Sequence, residues 1–123
     1  MNIKTIEEKN MLIALVHSDE VIIKDVQSAL DFAMSIQYET GSDIIAINKE
    51  AITEDFFQLR TRIAGDILQK FVNYRIKFAI IGDFSNYQSK SLKDFIYECN
   101  RGKDVFFVGS EAEAIEKLSS LAH

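Results

Sequence analysis

The stretch FAIIGDFSNYQSKSLKDFIYE, residues 78–98, decides the fold. Phe78 to Ile81 is a short apolar run of the kind found in a strand covered on both faces. Gly82 to Gln88 is a polar turn, and from Ser89 or Ser91 the pattern changes to helical spacing, with Leu92, Phe95, Ile96 and Cys99 on one side. Strand, turn and helix in that order are the repeating unit of an α/β domain, in which ligands collect beyond the carboxyl ends of the strands. Ser91 with Asp94 has capping-box spacing, and Arg101-Gly102 ends the helix.

Upstream of this unit, Thr53 is the expected N-cap of a long helix, with Glu54 and Asp55 suited to its positive end. Phe56, Leu59, Ile63, Ile67 and Phe71 form an apolar stripe along it, widened by Phe57, Ala64 and Leu68. Gly65 inside a helix costs about 1 kcal/mol relative to alanine, so a close backbone approach at Ala64-Gly65 is expected. Asp43 to Asn48 (DIIAIN) reads as a buried strand. Before it, Val26, Ala29, Leu30, Ala33 and Ile36 give a helix capped by Asp25 and stopped by Gly41. Val21 to Ile23 adds a strand residue or two. Ile3 to Glu8 and Met11 to Val16, separated only by Lys9-Asn10, make an antiparallel hairpin.

Downstream, Val105 to Val108 is the last strand. Ser110 with Glu113 caps a final helix with Ala114, Ile115, Leu118 and Leu121 inward. The expected order is β-β-α-β-α-β-α-β-α, a single α/β domain over residues 1–123 with a mostly parallel sheet.

Composition narrows the function classes. At 123 residues with 47% hydrophobic and 27% charged content, the chain can bury a core without disulfides or metals. One cysteine, Cys99, excludes an internal disulfide and a multi-cysteine metal site, and His17 and His123 are too far apart for a zinc motif. No run approaches a membrane span, and MNIKTIEEKN has no signal-peptide core, so a cytoplasmic location is expected. The net charge of −5 is uneven: residues 1–59 carry 4 basic and 11 acidic groups, residues 60–103 carry 9 and 4. That segment favours a partner or anion site if its cations share a face. An overall acidic chain argues against nucleic acid as partner.

Candidate sites each have a structural counterpart. In the 82–91 loop, Asp83 can serve as acceptor or base, with Ser85, Tyr87, Ser89, Lys90 and Ser91 around a small ligand or anion, helped by Arg60 or Arg101. The same residues can equally be caps and turn closers. Arg62 and Asp66 have the spacing of a surface ion pair. Cys99 lies on an apolar stripe, where a thiol is an inert small hydrophobe. No nucleophile elbow, P-loop or dinucleotide fingerprint is present. Nothing in the sequence asks for a cofactor, a metal or a catalytic residue. Nine Phe and four Tyr are a generous supply for a small core. Phe56, Phe57, Phe71, Tyr74 and Tyr97 therefore suggest a subunit interface or an apolar ligand slot, against plain core packing. From these features a non-enzymatic interaction or regulatory module is expected, a homodimer through Phe56, Phe57, Arg60, Ala64 and Gly65. Ligand binding at the 82–91 loop is the alternative.

The blocks IAGDILQKF, IIGDFSNYQSKSLKDFIYE and VFFVGSEAEAIEKL resemble the domain of unknown function 4180 family of small bacterial proteins. That resemblance implies no reaction, cofactor or catalytic residue. Relatives in the family often have glycine where this chain has Arg62. The element order also looks like the STAS fold of anti-sigma-factor antagonists, whose phosphorylated serine has no counterpart in Ile52 to Leu59. The resemblance therefore implies the fold without the phosphoswitch.

Overall fold

The computed structural model describes residues 1–121. His123 and the residue before it lie outside that range. The elements run β1 (Asn2–Glu8), β2 (Met11–His17), α1 (Val26–Thr40), β3 (Ile44–Asn48), α2 (Ile63–Asn73), β4 (Lys77–Ile81), α3 (Lys90–Arg101), β5 (Val105–Val108) and α4 (Glu111–Ser119). They build one five-stranded sheet in the order β1-β2-β3-β4-β5. β1 and β2 pair antiparallel, and the remaining pairs are parallel. The mixed α/β architecture expected from the alternation of elements is the one observed. β3 takes the middle of the sheet, with β4 beside it.

The hairpin turn explains its own sequence. Lys9 and Asn10 both have positive φ, 53° and 66°, as a two-residue turn between twisted strands requires. β1 is a sheet edge, and Lys4, Glu7 and Glu8 along it deter pairing with another chain. The opposite edge is closed differently. The Asn100 side chain accepts from the Phe107 N–H at 2.7 Å and donates to the Phe107 carbonyl at 3.1 Å, occupying the outer groups of β5.

Strand order equal to chain order has a topological consequence. Each parallel crossover steps one place in the same direction, and right-handed crossovers then put α1, α2 and α3 on a single face. The core divides accordingly. Val16, Ile45, Ile47, Phe78, Ile80 and Phe107 face those three helices, meeting Phe32, Ile36, Ile67, Phe71 and Leu92. On the other face Ile13, Leu15, Ala46, Ala79, Phe106 and Val108 meet α4, through Ala114 and Leu118. Ala46, Ala79 and Ala114 are small enough to bring that helix close to the strands.

Helix caps agree with the sequence at α1 and α4. The Asp25 carboxylate accepts from the Ser28 N–H at 2.8 Å, Gly41 closes α1 in the left-handed region, and Ser110 accepts from the Glu113 N–H at 3.1 Å. α3 opens one residue after Ser89, whose hydroxyl accepts from the Leu92 N–H at 3.2 Å. Ser91 is therefore in its first turn and caps nothing. Ile23 makes a single parallel bridge to Ile52.

The largest departure is the segment after Thr53. Thr53 caps only a 3₁₀ turn, Glu54–Phe57, and a second follows at Leu59–Thr61. α2 begins at Ile63, so α1 is the longest helix. The break lies at Arg62, whose φ of 66° is left-handed and cannot continue a right-handed helix. Glycine would adopt that backbone without strain. The turns also let neighbouring Phe56 and Phe57 both go inward. Gly65 has no neighbour within 4 Å of where a Cβ would lie, so no backbone approaches it. Arg62 and Asp66 share a backbone hydrogen bond but no ion pair.

The phenylalanines are absorbed inside the chain. Phe56 meets Phe57 edge-on at 5.0 Å, Phe57 meets Phe84 at 6.0 Å, Phe84 meets Phe107 at 5.4 Å, and Phe107 meets Phe95 at 6.2 Å. This column crosses the domain from the 3₁₀ turn to β5. Phe71 packs edge-on against Phe78 at 4.9 Å. Phe56, Phe57, Ala64 and Phe71 are all buried, so within this chain that part of the stripe takes the core-packing alternative, while Arg60 and Gly65, expected beside them at an interface, are exposed. Tyr74 and Tyr97 do remain exposed. No helix among the described residues is long and apolar enough to cross a membrane.

Candidate functional site

The carboxyl ends of β3 and β4 point toward the segments that follow them, residues 49–61 and 82–90. These two segments, with the first turn of α3, flank a cleft of about 490 Å³. One wall is Glu54, Phe57, Gln58, Leu59 and Arg60; the other is Tyr87, Gln88, Ser89, Ser91 and Leu92. Its size lies within the range of small-molecule sites. Phe57, Leu59 and Leu92 supply apolar surface, and amides, hydroxyls, Glu54 and Arg60 supply the polar groups.

Tyr87 joins the walls. Its ring stacks on Phe57 at 5.2 Å, and its hydroxyl donates to the Glu54 carboxylate, 3.1 and 3.0 Å from the two oxygens. Burial, then the Glu54 carboxylate, push the phenol far above its ordinary pKa. It stays protonated and a donor across the physiological range. Lys49 backs this arrangement, its Nζ 4.9 Å from the Tyr87 ring centroid and 3.8 Å from the Glu54 carboxylate.

Lys49 is held there by a missing side chain. A Cβ on Gly82 would stand 2.7 Å from Cβ of Lys49 and 3.0 Å from its Cδ. The Gly82 N–H is also committed, donating to the Val108 carbonyl at 2.9 Å. Gly82→Ala is therefore expected to cost about 1–3 kcal/mol through overpacking. It should also shift the amide resonances of Tyr87 to Leu92 as Lys49 is displaced. Urea denaturation with ¹⁵N spectra would check both. A loss under about 0.5 kcal/mol would mean that the Lys49 stem slides aside freely.

The loop residues named from the sequence separate into two groups. Tyr87, Ser89, Ser91 and, from the other segment, Arg60 line the cleft. Asp83, Ser85 and Lys90 do not. The Asp83 carboxylate accepts from the Ser85 hydroxyl at 2.6 Å and its N–H at 2.9 Å, closing a turn. Those two bonds hold its pKa below the usual carboxylate range, which makes it a poor base near neutral pH. Lys90 pairs with Asp94 at 2.9 Å, and Arg101 lies at the far end of α3 over the Tyr97 ring. Glu54, Gln58, Leu59, Gln88 and Leu92 also line the cleft, where the sequence places Glu54 at a helix start and Leu59 and Leu92 in apolar stripes and points to no role for Gln58 or Gln88. Phe57, expected at an interface, is a wall of the cleft.

Other chemistry finds little support. His17 is exposed, with Asp19 4.0 Å away. Cys99 is half-buried, and burial, then Glu98, push its thiol up to about 11, so little thiolate forms near neutrality. No group of three metal-ligating side chains occurs among the described residues. The cations of residues 60–103 do not share one face. Arg60, Arg62 and Lys90 lie toward the carboxyl edge of the sheet, and Arg75, Lys77 and Lys103 toward the amino edge, where Lys77 pairs with Asp104.

The model of a family described as a domain of unknown function, DUF4180, matches residues 8–118. No curated protein and no solved structure matches the chain, so the expected likeness to the STAS fold has no solved counterpart behind it.

Proposed function

The chain belongs to the DUF4180 family, whose description names no activity, and we propose that it binds a small organic molecule in the cleft between residues 54–60 and 87–92. One observation carries this reading: two segments remote in sequence converge beyond the strand ends to flank a cleft of about 490 Å³, with an apolar floor and several polar groups. Tyr87, fixed by Phe57, Glu54 and Lys49, gives that cleft a wall set before any ligand arrives. The other reading, a dimeric interaction or regulatory module, draws on the aromatic supply, of which Phe56, Phe57 and Phe71 are buried within the chain while Tyr74 and Tyr97 are exposed.

A thermal-shift screen of small metabolites tests the proposal, since a ligand at 100 times its Kd stabilises by about 2.7 kcal/mol. Hits should perturb amides of Glu54 to Arg60 and Tyr87 to Leu92, and Leu59→Trp, which fills the cleft, should abolish them. Hits that map elsewhere or survive Leu59→Trp would overturn it.

A further inference from the structure

The polar lining of the cleft is unevenly committed, and this bears on what the ligand must carry. Glu54, its one acid, already accepts from the Tyr87 hydroxyl on both oxygens and faces Lys49 at 3.8 Å. Arg60, its one base, meets no carboxylate among the described residues. Among those residues its only side-chain hydrogen bond is a long one, 3.4 Å to the Gln58 Oε1 on its own wall. Among the same residues, neither the Gln88 amide nor the Ser91 hydroxyl bonds to another part of the chain. The acid of the cleft is spent and its base is not.

Resting on the cleft reading above, we infer that the ligand is a small oxyanion, a carboxylate or a phosphate ester on an apolar or ring-shaped body. The Arg60 guanidinium takes the anion. Its planar fork matches two oxygens of a carboxylate or phosphate in a way that a lysine ammonium does not. Gln58, Gln88 and Ser91 supply hydrogen bonds around it, and Phe57, Leu59 and Leu92 take the body. A cationic ligand would have to compete with Lys49 and the Tyr87 hydroxyl for Glu54. A neutral ligand would leave the guanidinium partly desolvated without a charge to meet it.

The test titrates the ¹⁵N-labelled full chain with four probes sharing one ring: benzoate, phenyl phosphate, benzamide and benzylammonium. Benzoate or phenyl phosphate should shift the amides of 58–60 and 87–92 at least tenfold more tightly than benzamide, and benzylammonium least. Whichever anion binds better identifies the headgroup. Arg60→Gln should remove the tenfold preference, and Arg60→Lys should restore only part of it. Arg60 is exposed, so neither variant threatens the fold. Equal binding of benzoate and benzamide overturns the oxyanion, and a preference unchanged in Arg60→Gln overturns Arg60 as the group that takes it, each leaving the cleft as a binding site. If no probe moves those amides, both the oxyanion and the cleft reading fall.

Discussion

Phe56→Ala is expected to lower the unfolding free energy by about 3–5 kcal/mol, with a midpoint independent of protein concentration. The ring is 1% exposed, packed edge-on against Phe57 and carried by a turn that is wedged beside α2. Its removal leaves a cavity at one end of the aromatic column that runs on through Phe57 and Phe84 to Phe107. In a domain whose whole stability is about 5–15 kcal/mol, this is a large share. Phe56→Leu, which keeps most of the apolar volume, serves where the alanine variant is too unstable to measure. Urea denaturation at two protein concentrations gives the answer. A loss below about 1 kcal/mol would remove Phe56 from the core, and a concentration-dependent midpoint would place it between subunits.

That experiment bears on the place where the sequence misled. Phe56, Leu59, Ile63, Ile67 and Phe71 fit a helical stripe because apolar periodicity reports which residues go inward and not how the chain carries them there. Two 3₁₀ turns and a left-handed Arg62 deliver the same side chains to the same core. One local sign pointed to the break: adjacent Phe56 and Phe57 are about a quarter-turn apart on a helix, too far to share a narrow seam. Elsewhere local chemistry sufficed. Asp25, Gly41 and Ser110 mark helix ends by hydrogen bonds within a few residues, so their spacing is visible in the sequence.

The site was half legible for the same reason. Tyr87, Ser89 and Ser91 stood out as polar residues after a buried strand. Asp83, Ser85 and Lys90 stood out equally, but local partners at i+2 and i+4 consume them. Glu54 enters through a hydrogen bond to Tyr87, 33 positions away, and Gln58 and Gln88 through the folding of one segment onto another. Contacts of that range leave no spacing to read.

A similar long-range bond underlies the second large effect. Asn48 ends β3 with a buried side chain whose Oδ1 accepts from the Ser18 N–H at 2.9 Å and whose Nδ2 donates to the Ser18 carbonyl at 2.7 Å. The amide thus continues the β2–β3 pairing one step past Val16↔Ile47, imitating a strand residue. Asn48→Ala leaves two backbone groups of a buried residue without partners. At about 1–3 kcal/mol for each unpaired group, a total loss of about 2–6 kcal/mol is expected. Asn48→Asp separates the two bonds. Its carboxylate still accepts from the Ser18 N–H but turns its other oxygen on the Ser18 carbonyl and on Glu50, which now stands 3.2 Å from Nδ2. Only the protonated acid restores the donor. The new carboxyl therefore has a raised pKa in the folded state, and the native form binds its proton more tightly than the unfolded form. The deficit of Asn48→Asp relative to the unmodified chain must then be largest at neutral pH and shrink as pH falls through that raised value. Parallel urea titrations of both proteins down to the carboxylate range measure the difference at each pH. A deficit that stays constant would mean that solvent reaches the Ser18 carbonyl and that the strand pairing ends at Ile47. A shrinking one places the last rung of the β2–β3 ladder on a side chain, next to the Lys49 that supports the Tyr87 wall of the cleft.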